Sequence, residues 1–390
     1  MRRFSYNQNI ETGFTNMNKL LSTVGFGSGK KQVDEFVSGG QAFLPVLCGQ
    51  TRMSGLLRGQ TKMSALLKLN KAVFIAWAVF LLLQGAKVQG NEERRQLWLI
   101  STRSAPLSGD LQSGQKAIGY WRLSTDCQWQ ASDAESFRGC DDPAVPTTVV
   151  IHGNREDADD AIEFAWPIYC RMSQIAEDRP FRLVIWSWPS EKMCRRNRPD
   201  VQLKFCYSDA QSYYVAACIE GMRGDVPLCL VGYSMGAQIA AGSLHLLAGG
   251  EVACRTLPGR NSPDKSPRRT AAIRVVMVAA AADEDCLASS GIFNLALSQV
   301  ESVLLTRNGC DRVLRMYPKT YGRRGPEALG FAGPAGCGEY EKIELLDVSC
   351  EIGKMHKWKF YLSSNSLLGS IDRYVFPADT VKGKDHEIGD

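Results

Sequence analysis

A serine between two glycines is the residue of this chain best suited to chemistry. Residues 232–236, GYSMG, fit the pattern G-x-S-x-G, with a buried-strand run before them and an Ala-rich helical stretch after them. Strand, tight turn and helix in this order are typical of a nucleophile elbow, in which a serine stands on a strained turn. Larger side chains at Gly232 and Gly236 would collide with the neighbouring strand and helix. The pattern therefore predicts that Ser234 is a nucleophile, next to a helix N-terminus that favours developing negative charge.

A serine nucleophile needs a base to remove its proton, and the chain has four histidines. His152 directly follows a predicted strand, inside His-Gly, and is better suited to shaping a loop. His245 lies about three turns along the helix that follows Ser234, and His386 is in the C-terminal tail. His356 follows the last predicted strand, downstream of Ser234. By elimination, His356 is the candidate base.

The acid that orients this base is less sharply defined. Asp311 follows the penultimate predicted strand by a short loop, which gives the order Ser, Asp, His along the chain. Asp283 and Asp285 follow the preceding strand and remain alternative acids. The backbone N–H groups of Met235 and Asn154 are the candidate oxyanion-hole donors, on position alone.

Strands and helices alternate along residues 97–376 at a spacing typical of a parallel sheet. The predicted strands are 96–102, 119–124, 147–151, 181–186, 226–233, 272–281, 299–306 and 342–348, and the predicted helices are 157–176, 208–222 and 357–374. Residues 125–145, 249–270 and 322–338 are expected to be loops. The expected fold class is α/β, a mostly parallel central sheet covered by helices on both faces, with the candidate site residues after strand ends.

The net charge of +5 is unevenly distributed along the chain. Residues 1–90 hold eleven Lys and Arg against three acidic residues, which leaves 35 basic and 38 acidic residues in 91–390, a formal charge of −3. The basic character therefore belongs to the N-terminal segment. Nothing in the main body indicates a nucleic-acid-binding surface, so no nucleic-acid partner is expected.

The layout of residues 63–90 is typical of a secretory signal peptide or a membrane anchor. An apolar run at 72–83 follows Lys68 and Lys71, is short for a membrane span, and precedes small residues that suit cleavage after Gly90. Met63, or Met53, would then be the natural start.

Residues 1–62 are then a non-structured or mis-assigned extension, 91–376 a single folded domain, and 377–390 a polar tail. The expected location is the periplasm or the outside of the cell. The alternatives are a basic tail on an uncleaved anchor, which would associate with a membrane through residues 72–86, or a core helix.

The number of cysteines agrees with export. Twelve of the thirteen follow the proposed cut, which permits disulfides in an oxidising compartment. Cys127 with Cys140, and Cys194 with Cys206, are plausible local pairs, and Cys229 is expected to be a buried thiol. No cysteine or histidine pair has zinc spacing, so no metal is expected.

These segments resemble the α/β-hydrolase superfamily over most of residues 97–376. The likeness is carried by VIHGN at 150–154, GYSMG at 232–236, NGCD at 308–311 and GKMH at 353–356. LWLISTR at 97–103, the helix after His-Gly and WSWPS at 186–190 are similar to a group of uncharacterised bacterial α/β-hydrolases. The resemblance implies a Ser–His–acid hydrolase without a cofactor. Because no glycine run follows His152, a lipase-type oxyanion loop is not indicated. Loops 249–270 and 322–338 have no counterpart in the superfamily pattern.

The expected function is that of an exported serine hydrolase. A Ser–His–Asp triad would cleave carboxylic esters, of small molecules or lipid-like substrates, through an acyl-enzyme. Two alternatives remain open. One is a non-catalytic binding or scaffold protein that keeps the fold, and the other is an acyltransferase that uses the same residues.

Overall fold

The computed structural model describes residues 95–108, 110–260, 269–321, 325–336 and 340–376. These residues belong to one compact unit. The expectations for residues 1–90, for the tail at 377–390 and for His386 fall outside them and stay predictions. Within the described ranges, no helix is long and apolar enough to cross a membrane.

Nine strands form one sheet in the order β3-β2-β1-β5-β4-β6-β7-β8-β9. β2 runs antiparallel to β1 and β3, and every other pair of neighbours is parallel. The strands are β1 (Arg95–Ser101), β2 (Gly119–Leu123), β3 (Trp129–Ser132), β4 (Thr147–Ile151), β5 (Phe181–Ser187), β6 (Leu228–Tyr233), β7 (Ile273–Val278), β8 (Ser302–Arg307) and β9 (Ile343–Asp347).

Ten α-helices connect or flank these strands in the described ranges. They are α1 (Leu111–Gly114), α2 (Ala134–Gly139), α3 (Ala158–Ile175), α4 (Asn197–Glu220), α5 (Met235–Leu247), α6 (Pro318–Tyr321), α7 (Leu329–Ala332), α8 (Ser349–Ile352), α9 (Trp358–Tyr361) and α10 (Asn365–Val375). The crossover from β4 to β5 runs in the opposite direction along the sheet to the crossovers β5 to β6 and β6 to β7. Right-handed crossovers therefore place α3 on one face and α4 and α5 on the other.

The core is centred on the middle strands. All residues of β4, β5 and β6 are buried, as expected for parallel strands that helices cover on both faces. The parallel strands direct their carboxyl ends to one edge of the sheet, here called the C-terminal edge. The expected α/β class and the helices on both faces are confirmed.

Several sequence expectations about secondary structure were wrong. The loop expected at 322–338 contains α7, and the single helix expected at 357–374 is two helices, α9 and α10. Residues 125–145 are not a continuous loop, because they contain β3 and α2, both too short to show a clear period. Helix α4 begins at Asn197 rather than at 208. Its first half turns polar side chains, among them Asp200, Lys204 and Ser208, toward the interior, so it lacks the apolar period that marks a buried helix face.

The two expected local disulfides are not formed. Cys140 is a free thiol, so it does not pair with Cys127, and Cys194 and Cys206 are also free thiols. Cys229 is a buried thiol whose pKa burial raises to about 12. A thiol with so high a pKa stays protonated near neutral pH and behaves as an apolar side chain.

Candidate active site

Ser234 occupies a strained turn between β6 and α5. Its backbone has φ 54° and ψ −116°, a conformation that costs about 1–3 kcal/mol in a residue with a Cβ. The chain holds this turn with two hydrogen bonds to the neighbouring strand end: Ser234 N–H donates to Val278 O (2.9 Å) and Ala281 N–H donates to Ser234 O (3.1 Å). The strain and the hydrogen bonds together fix the hydroxyl at the C-terminal edge of the sheet.

The structure shows a steric reason for both glycines of the pattern. A Cβ on Gly232 would lie 2.5 Å from Gly236 O, and a Cβ on Gly236 would lie 2.1 Å from Ile151 O. Both contacts are to backbone, which has no room to move. The helix therefore begins directly against the end of β4, as the sequence pattern predicts.

Three sequence-predicted residues meet at this edge. Ser234 Oγ lies 3.2 Å from His356 Nε2, and His356 Nδ1 lies 2.7 Å from Asp311 Oδ2. The Asp311 side chain is fully buried and the His356 side chain is 15% exposed. Because Nδ1 faces a carboxylate, it carries the proton, which leaves Nε2 free to accept the proton of Ser234.

The alternative acids lie elsewhere. Asp283 accepts a hydrogen bond from Tyr317 OH (2.8 Å), and burial raises the pKa of its carboxyl. Within the described residues, the His356 ring bonds to Ser234 and Asp311 and not to Asp283 or Asp285. His245 is on the last turn of α5, where its Nδ1 accepts the N–H of Leu295 (3.3 Å), away from Ser234.

The His-Gly-Asn loop after β4 lies against the nucleophile. A Cβ on Gly153 would be 3.1 Å from Ser234 Cβ, so a larger residue would push the loop away. Asn154 follows directly, and Met235 is the first residue of α5, whose N–H has no acceptor within the helix. The Met235 N–H and the Gly153 backbone therefore lie next to Ser234, and Asn154 is the next residue of that loop. The side-chain Oδ1 of Asn154 is buried and accepts no hydrogen bond from the described residues.

His152 fixes the shape of this loop. Its Nε2 accepts the N–H of Trp188 (3.1 Å), so Nδ1 carries the proton and donates to Gly153 O (2.9 Å). The imidazole stacks on the Trp188 ring with 5.6 Å between centroids, and the indole N–H donates to His152 O. Burial, with Arg103 nearby, lowers the pKa of His152 to about 3. A ring that stays neutral with both nitrogens engaged serves as a structural link between the loops after β4 and β5.

A strained turn with Ser234 after β6, Asp311 after β8, His356 after β9 and the His-Gly-Asn loop after β4 lie at one edge of a mostly parallel sheet. The chain has the α/β-hydrolase fold.

Comparisons with known proteins give distant likenesses. No family model and no curated protein matches the sequence. A solved lipase-esterase related protein from Clostridium acetobutylicum is 14% identical (TM-score 0.29; 60% of this chain and 97% of that chain covered). The protein TT1662 from Thermus thermophilus is 10% identical (TM-score 0.35; 66% and 93% covered). An acetyl xylan esterase is 13% identical (TM-score 0.25; 59% and 99% covered). The fold assignment rests on the topology and the elbow.

Arg103, a buried arginine beside the His-Gly-Asn loop, was not indicated by the sequence. Arg103 donates to Ser187 Oγ (2.8 Å) and to the carbonyl oxygens of Glu156 (3.2 Å) and Asp157 (2.6 Å), and it pairs with Glu191. One guanidinium thus joins the loops after β1, β4 and β5. Because an arginine after a strand is common on protein surfaces, its position in the sequence gave no signal of this role.

Tyr361 and Asn308 hold the acid and were also missed as site residues. Tyr361 OH donates to Asp311 Oδ2 (3.1 Å), and Asn308 Nδ2 donates to Gly353 O (3.0 Å) and Tyr361 OH (3.3 Å). Asp311 Oδ1 accepts two backbone N–H groups, from Val313 and Leu314. Burial, followed by the charge of Asp311, raises the pKa of Tyr361, so its hydroxyl remains a donor. Both oxygens of the buried carboxylate are therefore satisfied.

Proposed function

We propose that this protein is a serine hydrolase that cleaves carboxylic esters through an acyl-enzyme. The observation that carries the proposal is the hydrogen-bonded array of Ser234 Oγ, His356 Nε2 and Nδ1, and Asp311 Oδ2. The array lies at a strained elbow, beside the N–H of Met235 and the loop that contains Asn154. A nucleophile, a base oriented by an acid, and oxyanion donors together are what acyl transfer requires.

The first half of the reaction forms the acyl-enzyme. Ser234 Oγ attacks the ester carbonyl carbon while its proton passes to His356 Nε2. The charge that develops on the carbonyl oxygen meets the N–H groups of Met235 and Asn154; such a donor is typically worth about 10²–10³ in kcat. The buried carboxylate of Asp311 stabilises the imidazolium. The C–O bond then breaks, and Nε2 gives its proton to the departing alcohol.

The second half repeats these roles with water. His356 Nε2 takes a proton from a water molecule, whose oxygen attacks the acyl carbon. The tetrahedral intermediate collapses, the bond to Ser234 Oγ breaks, and Nε2 returns the proton to that oxygen. A free carboxylic acid leaves, and the enzyme is restored without any cofactor.

Labelling with a fluorophosphonate tests the proposal. The probe forms a covalent bond to an activated serine, so wild-type protein should label and turn over short-chain aryl esters, while Ser234→Ala should do neither. Ser243→Ala is a matched control on α5, because that hydroxyl donates to Ala240 O (2.8 Å) within the helix. Ser243→Ala should label like wild type.

Three outcomes would contradict the proposal. Labelling that survives Ser234→Ala would reject Ser234 as the nucleophile. Wild-type protein that never labels would favour a binding or scaffold protein. Acyl groups recovered on an added alcohol in preference to free acid would favour an acyltransferase.

Export from the cytoplasm is the second part of the proposal. It is supported by the apolar run at 72–83, its basic flank and the small residues before Asn91. N-terminal sequencing of the natural protein should find a terminus near Asn91. A terminus near Met1 on a membrane-bound form would contradict export by cleavage.

A further inference from the structure

Three segments around the candidate triad carry positive charge without any acidic residue. Residues 192–198 follow β5, residues 312–319 follow Asp311, and residues 354–357 contain His356. They hold four, three and two Lys or Arg, and no Asp or Glu. All nine basic residues are exposed. This concentration lies in a body whose formal charge is −3, so the net charge of the sequence conceals it.

The three segments are contiguous in space. Arg312 N–H donates to Lys354 O (3.4 Å), which joins the second segment to the third. Gln202 Nε2 donates to Thr320 O (2.9 Å), which joins helix α4, whose first residues end the first segment, to the residue that follows the second segment. We call these three segments the basic rim. The rim lies at the C-terminal edge of the sheet, in the segments that follow β5, β8 and β9.

Apolar side chains stand exposed among the charges of the rim. Met193, Val313, Met316 and Met355 are between 42 and 59% exposed, and they make up four of the seven large apolar residues that are exposed in the described ranges. A soluble polyanion gains nothing from exposed methionines. A lipid surface does, because basic side chains meet anionic headgroups while apolar side chains enter the boundary with the acyl chains.

We propose that the basic rim docks the protein on an anionic lipid surface. Acidic residues at 156–160 and 283–285 follow β4 and β7, which lie between β5 and β8 in the sheet, so the positive charge belongs to the rim and not to the whole C-terminal edge. Attraction to the headgroups decreases with ionic strength. Docking is a binding property and does not depend on catalysis.

Vesicle flotation of the full chain tests the docking surface. The probes are phosphatidylcholine vesicles with and without phosphatidylglycerol, at low and high salt. Wild-type protein should float with the anionic vesicles and be released by salt. Each basic residue near such a surface is worth about fivefold in affinity, so the double variant Arg195→Gln/Arg315→Gln should bind roughly 25-fold more weakly.

Matched controls separate the rim from general charge. Lys116→Gln/Arg138→Gln removes the same charge from exposed residues outside the rim and should change binding less than about twofold. All variants share the basic residues 1–90, so the contribution of that segment cancels. Met193→Ser/Met316→Ser should weaken anionic-vesicle binding by about tenfold, while Ile292→Ser, exposed outside the rim, should not.

Three results would overturn the docking proposal. Equal flotation with neutral and anionic vesicles, or no flotation with either, would overturn the proposal. Loss of binding in the charge variant without loss in the methionine variant would also overturn it, in favour of a soluble polyanion. Measuring Ser234→Ala beside wild type keeps the two proposals distinct, because docking should be unchanged where turnover is lost.

Discussion

Two histidines follow strands at the same edge of the sheet, and they have opposite environments. His152, after β4, is fully buried, engaged at both nitrogens by backbone groups, and neutral because burial lowers its pKa to about 3. His356, after β9, is partly exposed, with a carboxylate at Nδ1 and a hydroxyl at Nε2. A histidine therefore does not act as a base merely because it follows a strand. The partners at the two nitrogens decide whether a ring holds a loop or moves a proton.

Substitution of the two histidines by glutamine should separate these roles most strongly. His356→Gln removes the base, and loss of one member of a triad typically lowers kcat by about 10⁴–10⁶. Thermal unfolding should change little, because the ring is near the surface. Kinetics with an aryl ester and a melting curve on each variant measure both quantities. If His356→Gln retained turnover within tenfold of wild type, the assignment of the base would be wrong.

Asp311→Asn should have the next largest effect. An amide at this position favours the wrong tautomer of His356, which in triads costs about 10⁴ in kcat. Asp283→Asn is the matched control, because that carboxylate contacts Tyr317 rather than His356. Equal losses of kcat in the two variants would show that Asp311 is not the specific acid partner of His356.

His152→Ala should affect stability rather than chemistry. The change leaves the Trp188 N–H without its acceptor and opens a cavity beneath the oxyanion loop, which together should cost about 2–5 kcal/mol of unfolding free energy. The fraction that remains folded should still label with a fluorophosphonate. Urea unfolding and labelling of the same sample test this, and wild-type stability in the variant would refute the structural role.

Local sequence patterns predict the parts of the fold and site that depend on neighbouring residues, and not those that depend on distant contacts. The elbow, the buried strands and the order of Ser234, Asp311 and His356 could be predicted, because they depend on local patterns and on strand ends. The first half of α4 could not, because its inward face is polar. The support from Arg103 and Tyr361 could not either, since it depends on contacts between segments far apart in the chain.

The pH dependence of stability should also distinguish His152. The folded chain keeps this ring neutral down to about pH 3, whereas the unfolded chain protonates it below about pH 6.5. Its contribution to stability is complete above pH 6.5 and is lost as the pH falls toward 3. The difference in unfolding free energy between wild type and His152→Gln should therefore decrease from pH 7 to pH 5. Parallel stability curves would mean that the ring is not held neutral.

Tyr361→Phe should have the smallest effect, and it tests whether the acid itself needs support. The change removes one of the hydrogen bonds to Asp311 Oδ2 and leaves the His356 contact in place. A hydrogen bond to a charged group is worth about 1.5–3 kcal/mol, so kcat should fall by roughly 10–100-fold if that energy serves to hold the acid in position. KM should change little, because the hydroxyl lies behind the triad.

Tyr214→Phe, which removes a buried hydroxyl that donates to Pro106 O (2.7 Å), is the matched control and should lower stability without lowering kcat. If both variants lost stability and neither lost kcat, Tyr361 would be a packing residue, and Asp311 would be positioned by its two backbone N–H donors alone.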